Sequence, residues 1–420
     1  MAGWLGALVV VAGGGWWLNE AGRVELLLGD AQPFIGGLLR PDPGRLLLPV
    51  AAAGLAVWLL PHLSRRLSWA WLLVASTGFA AGWAAVLTTA RAWDDFPRPL
   101  NRDDDYFTAL PIADIPGFIA GFTDQILTYA THIQGHPPGQ VVLLALLDKA
   151  GLAEPWLVAL GYVVVGTSAV AAAAVAMRSL AGDAGEDLAR RMFPAAVLAP
   201  AAVWIATSAD AFFSGVLAWG TALLAVACAR WTAGRPWLLP GIGAGLLLGL
   251  CPFLSYGLLP MGLITLAVVW HTRALPVLGL VAALVGLQAA VWAAFGFLIT
   301  DGIAATAEAW ALDAASVRPY WYFLFANFVV LATVVGPATL ASLPSWRRLV
   351  QPAPLFVGLA VAAAIAGTLL GFMRGEVERI WLPLTPWLML AASVVGPRRG
   401  WLGAQAAVAI AAAAFIESPW

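Results

Sequence analysis

The chain has 420 residues, 61% hydrophobic and only 11% charged, with a mean hydropathy of +0.86. A soluble domain carries about 25% charged residues, so water is excluded as the solvent for most of this surface. A net charge of −1 with no basic aromatic surface excludes nucleic acid as a partner. The two cysteines, Cys228 and Cys251, lie inside apolar runs and exclude a disulfide framework or a cysteine metal site.

Crossing a hydrocarbon layer of ~30 Å takes roughly 20 apolar residues per helix. Apolar runs predict spans near 2–18, 45–61, 69–90, 155–177, 191–207, 211–229, 238–254, 255–270, 276–298, 319–340, 353–371, 380–396 and 401–416. The expected fold class is therefore all-α, a polytopic transmembrane helical protein of about 13 spans. The first run lacks a basic leader and a small-residue cleavage site, so it is expected to be retained as a span. Segment 91–154, rich in Asp, Pro, Thr and Gly, breaks the rhythm and is too long for a passive connection. Within it, Ile115 to Thr131 has helical spacing suited to an interfacial helix, and Gly139 to Leu147 is apolar but short for a span.

Charge decides the topology. If residues 139–150 stay out of the spanning set, one face receives Arg65, Arg66, Arg178, Arg190, Arg191, Arg230, Arg235, Arg273, Arg347, Arg348, Arg398 and Arg399. Only Asp183, Glu186 and Asp187 oppose them there. That arrangement gathers segment 91–154, Asp210, the loop 299–318 and the run Arg374 to Arg379 on the extracytoplasmic face of a multi-pass plasma-membrane protein.

Three constellations there can carry chemistry. Asp94 and Asp95 follow the third span, and Asp103, Asp104, Asp105 and Tyr106 follow closely. Crowded carboxylates can deprotonate a hydroxyl or bind a divalent metal, the cofactor this cluster would take; a solvated acidic loop has the same composition. His132-Ile-Gln-Gly-His136-Pro-Pro-Gly139 fixes a histidine where a helix begins, unless the prolines only build a rigid entry turn. Arg374-Gly-Glu376-Val-Glu378-Arg379 places two arginines around two glutamates ahead of a Pro-containing run. Guanidinium forks suit phosphate, although internal ion pairs with Trp381 as an interfacial anchor would look alike. Asp210, in Ser208-Ala209-Asp210, is either a buried functional acid or a helix cap. Tyr320-Trp321-Tyr322 reads as an interface belt. Few polar residues fall inside the spans, chiefly Gln288 and Asn327, which counts against an ion-coupled transporter.

In their order, these motifs resemble the polytopic glycosyltransferases of the GT-C superfamily. The likeness is to the branch of the protein mannosyltransferases and the aminoarabinose lipid A transferase. More narrowly, the chain resembles actinobacterial integral membrane proteins that share the His-Pro-Pro-Gly and Gly-Glu-Val-Glu-Arg-Ile-Trp elements. Asp94 and Asp95 occupy the place of that superfamily's acidic loop motif, His136 to Gly139 match its His-Pro-Pro element, and Glu378-Arg379 ahead of Pro383 and Pro386 match its late arginine element. The chain departs from the pattern in three ways. Gly139 replaces the usual Leu, Asp-Asp replaces Asp-Glu, and two spans precede the acidic loop's span. The domain organisation expected is 1–68 as extra spans and 69–420 as the GT-C-like unit, with juxtamembrane helices in its external loop 91–154.

The resemblance implies transfer of a sugar from a polyprenyl-phosphate donor to an envelope lipid, polysaccharide or protein. An Asp among Asp94, Asp95, Asp103, Asp104 and Asp105 would be the base. His136, Lys149, Arg374 and Arg379 would hold the donor phosphate, with Tyr106, His132, Asp210, Glu376 and Glu378 around the substrates. A transporter or lipid flippase is the competing reading, and a non-catalytic envelope scaffold the third.

Overall fold

A chain this apolar has to satisfy its own backbone, and helix does so without a partner strand. The computed structural model describes residues 2–91, 96–205, 208–371 and 373–419. Helix α1 (Ala2–Glu20) leads into a non-helical loop, 21–42, that carries the two-residue strand β1 (Gly37–Leu38). Helices α2 (Pro43–Arg66) and α3 (Trp69–Thr88) form a hairpin, and the following segment holds α4 (Ile115–Ala120), α5 (Thr131–Gln134) and α6 (Gly139–Lys149). The chain continues through α7 (Pro155–Thr167), α8 (Ala169–Val197), α9 (Ala202–Ile205), α10 (Ala209–Thr232), α11 (Leu238–Leu254), α12 (Gly262–Thr272) and α13 (Leu275–Ala294). It ends with α14 (Ile299–Leu312), α15 (Tyr320–Ser342), α16 (Ala353–Leu369), α17 (Val377–Ile380), α18 (Thr385–Leu388) and α19 (Arg399–Phe415). Strand β2 (Ile416–Glu417) then pairs antiparallel with β1, Gly37 opposite Glu417.

Six apolar helical runs of membrane-crossing length occur among the described residues: 43–66, 69–88, 155–197, 209–232, 275–294 and 320–348. Shorter apolar helices occupy 238–254, 256–272 and 353–369. The longest run is two passes, because α8 reverses at Gly182, whose φ of 57° and ψ of −133° leave the helical region. Glu186 thereby returns to within 3.0 Å of Arg178, a contact that eight residues of straight helix, rising ~12 Å, would forbid.

Two expected helices take another form. The interfacial helix over 115–131 is three short pieces, α4, a 3-10 turn at Ile126–Thr128 and α5, interrupted at Gly121. The expected span 380–396 is not a regular α-helix: α17, a 3-10 turn Leu382–Leu384, α18 and a 3-10 stretch Met389–Ser393 follow one another. Pro383 and Pro386 each remove a backbone donor there, favouring tighter winding over a full α ladder. Every residue from Leu382 to Ser393 is nevertheless buried, so this irregular segment runs through the middle of the bundle. α6 has 11 residues and rises ~16 Å, half a bilayer core and too short to cross one. The first 68 residues pack into the common core, α1 against α15 and α2 against α19 and α8.

Successive passes reverse direction, which sorts the loops between two ends of the bundle. The 12 arginines named above fall at one end, where Arg190 donates to the carbonyls of Ser64 and Leu67. Loop 21–42, segment 96–154, the N-terminus of α10, the loop 295–319 and residues 373–381 meet at the other.

Candidate functional site

The N-terminus of α10 supplies the first charge. Ser208 caps it, its hydroxyl accepting from the Asp210 amide at 3.1 Å and donating to Asp210 Oδ2 at 3.2 Å. The helix dipole favours an acid in this first turn. Asp210 is only 4% exposed, so its charge needs a partner. Arg379 provides it, Nη1 donating to Asp210 Oδ2 at 2.7 Å.

The backbone just before α17 turns through Gly375 (φ 99°) and Glu376 (φ 61°). A left-handed glutamate costs roughly 1–3 kcal/mol. Here the turn brings its carboxylate back over the short helix, where Oε2 accepts from Arg379 Nη2 at 2.8 Å. Glu376 Oε1 also accepts from Arg318 Nη1 at 3.3 Å. Burial would raise the Glu376 pKa, but Arg379 and Arg318 outweigh it and hold the carboxyl below its usual range. Burial likewise works against the Arg379 cation, and Asp210 and Glu376 more than offset it, so the guanidinium stays charged.

The imidazole of His132 joins this cation to the acidic loop. Arg379 Nη2 lies 3.4 Å from His132 Nε2, and His132 Nδ1 lies 3.2 Å from Asp105 Oδ2. Arginine can only donate, so toward Arg379 Nε2 is the acceptor and Nδ1 carries the proton toward Asp105. Asp105 is 7% exposed, and its other oxygen caps the next turn by accepting from the Tyr106 amide at 2.7 Å. Tyr106 is buried between the two histidine rings, 6.0 Å from His132 and 5.6 Å from His136. Burial, with Asp210 and Asp105 adding to it, pushes its phenol well above the ordinary value.

His136 has Nδ1 at 2.8 Å from the His132 carbonyl, which can only accept, so its Nε2 carries a lone pair. Burial pulls its pKa down to about 4, against the attraction of Asp210. At neutral pH His136 therefore offers an acceptor to the site rather than a positive charge.

The remaining candidates lie around this chain of contacts. Asp104 is bound bidentately by Arg102 at 2.8 and 2.7 Å, and that hydrogen bond holds its carboxyl below the usual range. Asp103 is exposed. Asp94 and Asp95 lie outside the described residues. Glu378 is fully buried, with Oε1 accepting from the Ile35 amide at 3.0 Å, and burial pushes its carboxyl up to about 7. Arg374 is committed to backbone: it donates to the carbonyls of Gly371, Ser316 and Arg318 and lies over the Trp310 ring. Lys149 stands apart, donating to the Ala113 carbonyl at 3.2 Å from an exposed position. Trp381 is 1% exposed, so it packs in the core rather than anchoring at an interface.

Three participants were not singled out in the sequence. Arg318, 6% exposed, ties the Leu27 and Arg374 carbonyls to Glu376. Its signal was the one arginine in the otherwise acidic loop 299–318. Gln140, fully buried, donates to the Tyr162 hydroxyl beneath the His-Pro-Pro turn. Loop 21–42 packs over the cluster through Leu27, Ile35 and Phe34, which stacks on Trp204 at 5.7 Å. Nothing in its composition marked it.

Among the described residues no three His, Cys, Asp or Glu side chains are placed to hold a metal. The acids at hand are already bonded, Asp104 to Arg102 and Asp105 to His132 and the Tyr106 amide, and do not by themselves build a cation site. Compared with family models, curated proteins and solved structures, the chain gives no match.

Proposed function

We propose that the chain is a multi-pass membrane glycosyltransferase of the GT-C kind. It would take a sugar from a polyprenyl-phosphate donor and pass it to an envelope lipid, polysaccharide or protein on the extracytoplasmic face. The observation that carries the reading is the continuous contact Asp105–His132–Arg379–Asp210. It draws four separate segments to the end of the bundle opposite the arginine-rich loops. The acid and the cation are the two groups that glycosyl transfer from a phosphate requires.

In this scheme Asp105 takes the proton of the acceptor hydroxyl. It keeps spare lone pairs while His132 and the Tyr106 amide fix its orientation. The acceptor oxygen bonds to the anomeric carbon, the bond from that carbon to the phosphate oxygen breaks, and polyprenyl phosphate leaves with the electron pair. Arg379, held rigid by Asp210 and Glu376, faces the charge that develops on the phosphate. His136 accepts a hydrogen bond from a sugar or acceptor hydroxyl through Nε2. The arginine-rich end faces the cytoplasm by the positive-inside bias.

The test is sugar transfer from polyprenyl-phosphate donors by the purified, reconstituted chain. Asp105→Asn should lower turnover by about 10²–10⁴-fold with its melting temperature preserved. Solute flux in proteoliposomes, without transfer from any such donor, would replace this reading with transport.

A further inference from the structure

The Glu378 carboxyl has no part in that chemistry, yet it holds the loop that packs over the site. Glu378 is 0% exposed, and its Oε1 accepts from the Ile35 amide at 3.0 Å. Its Oε2 has no hydrogen-bond partner among the described residues. An ionised carboxylate offers about four lone-pair sites, so with one donor it would lie buried and largely unsolvated. The neutral acid is far easier to bury: Oε1 keeps the amide and Oε2 carries the proton.

The loop is built as a unit. Gly36 N donates to the Leu28 carbonyl at 2.7 Å, and Ala31 N to the Gly36 carbonyl at 3.0 Å, so residues 28–36 close on themselves. Two bonds fasten this unit to the charged cluster. The Leu27 carbonyl accepts from Arg318 Nη2 at 2.9 Å, and the Ile35 amide donates to Glu378. Leu26 and Leu28 pack with Tyr322, Phe323 and Ala326 in a small cluster set apart from the main core. A loop seated on so small a cluster belongs to the part of a fold that opens first. Gly22 (φ 61°) and Gly36 (φ 137°) flank it where the chain leaves α1 and enters β1.

The charges around Glu378 are few. Glu376 opposes its ionisation and Arg379 favours it. Of the elements packed against α17, α10 contributes Asp210, already bonded to Arg379. α15 contributes Tyr320 and Tyr322, which donate to the carbonyls of Leu369 and Val11. α9 and Leu382–Leu384 carry no ionisable side chain, and the loop's own Arg23, Glu25, Asp30, Arg40 and Asp42 are all exposed.

We propose that loop 21–42 is a strap over the charged cluster, latched while Glu378 is protonated and loosened when it loses that proton. Burial, with Glu376 adding to it and the Ile35 amide and Arg379 opposing, pushes the closed carboxyl up to about 7. With the strap open and Glu378 in water, the ordinary value near 4.3 returns. Between these values only the open form is ionised, so each pH unit favours opening by up to about tenfold, levelling above about 7. The inference rests on the contacts of Glu378 and not on the glycosyltransferase reading.

Hydrogen exchange of the full-length protein in lipid nanodiscs, read by mass spectrometry and corrected for the intrinsic rate at each pH, tests it. Peptides covering 27–36 should lose protection on the order of 50-fold between pH 5 and pH 8, and peptides of α16 should not. E378Q keeps an acceptor for the Ile35 amide but cannot ionise, so it should hold 27–36 equally protected at both pH values. Unchanged protection of 27–36 in the wild type would overturn the proposal. So would a pH dependence that survives in E378Q, or an equal loss in α16, which would mean general loosening. On the unaltered protein the loss should level off above about 7; a loss still growing tenfold per unit beyond pH 8 would belong to another group and would also overturn it.

Discussion

The two ends of the bundle use charge in opposite ways. At one, Arg379, Arg318, Asp210, Glu376 and Asp105 are largely withdrawn from solvent and interlocked through short contacts drawn from distant parts of the sequence. At the other, Arg65, Arg66, Arg347, Arg348, Arg398 and Arg399 are exposed. An exposed charge costs little and contributes little to stability, so the second set needs no partner. A buried charge is tolerated only when matched. The first set has therefore been assembled at a cost that orientation alone would not require. The comparison separates exposed charges from buried, interlocked ones.

The largest effect should come from breaking the matched end at its centre. Arg379→Met leaves Asp210 and Glu376 buried without their shared cation and should cost about 3–5 kcal/mol, read as a large drop in melting temperature. Arg379→Lys should recover part of the stability but not the two-carboxylate geometry.

Next comes pH. The Glu378 carboxyl sits at about 7 when folded, against an ordinary value near 4.3. Below the ordinary value it is protonated folded or unfolded and costs nothing. As pH rises toward 7 the unfolded chain ionises first, so stability falls, by on the order of 3 kcal/mol when complete. His136, at about 4 when folded, works in the other direction. As pH falls below ~6.5 the unfolded chain gains the proton first, so stability is lost on going down to 4. Thermal melts from pH 4 to 8 should show the two slopes offsetting in the wild type. Glu378→Gln should leave only the rise with pH, and His136→Asn only the fall.

A smaller loss, about 1–3 kcal/mol, is expected for Gly375→Ala. Its φ of 99° disfavours any side chain, and a Cβ would come within 3.4 Å of Leu28, Phe323 and Arg318. At the exposed end, Arg398→Gln and Arg399→Gln should each change stability by less than ~0.5 kcal/mol. A drop comparable to that of Arg379→Met would erase the distinction between the two ends.

Much of this was legible in the sequence because lipid imposes a simple rule. Apolar runs 238–254 and 353–371 coincide closely with α11 and α16, since in hydrocarbon a long apolar run has one backbone solution. Keeping 139–150 out of the spanning set followed from counting arginines, and α6 has the short length that reading needs. The reversal at Gly182 and the 3-10 winding after Pro383 were not legible, because hydropathy is blind to local dihedral angles. In the site, Asp105, His132, Asp210, Glu376 and Arg379 were all named and do converge. What one-dimensional spacing could not supply was pairing. Arg374 and Lys149 have the chemistry of phosphate ligands yet spend it on backbone carbonyls. Arg318 and loop 21–42 enter only through contacts across more than 50 residues.

The central claim is that the matched end is a glycosyl-transfer site, and single-turnover transfer from a polyprenyl-phosphate sugar tests it most directly. Wild-type chain, Asp105→Asn and Arg379→Lys would be compared in the same membrane mimic, with equal melting temperature confirmed for Asp105→Asn. The account predicts transfer by the wild type, a fall of about 10²-fold or more for Asp105→Asn, and a fall in turnover for Arg379→Lys that added donor does not restore. Wild-type rates in Asp105→Asn would contradict it.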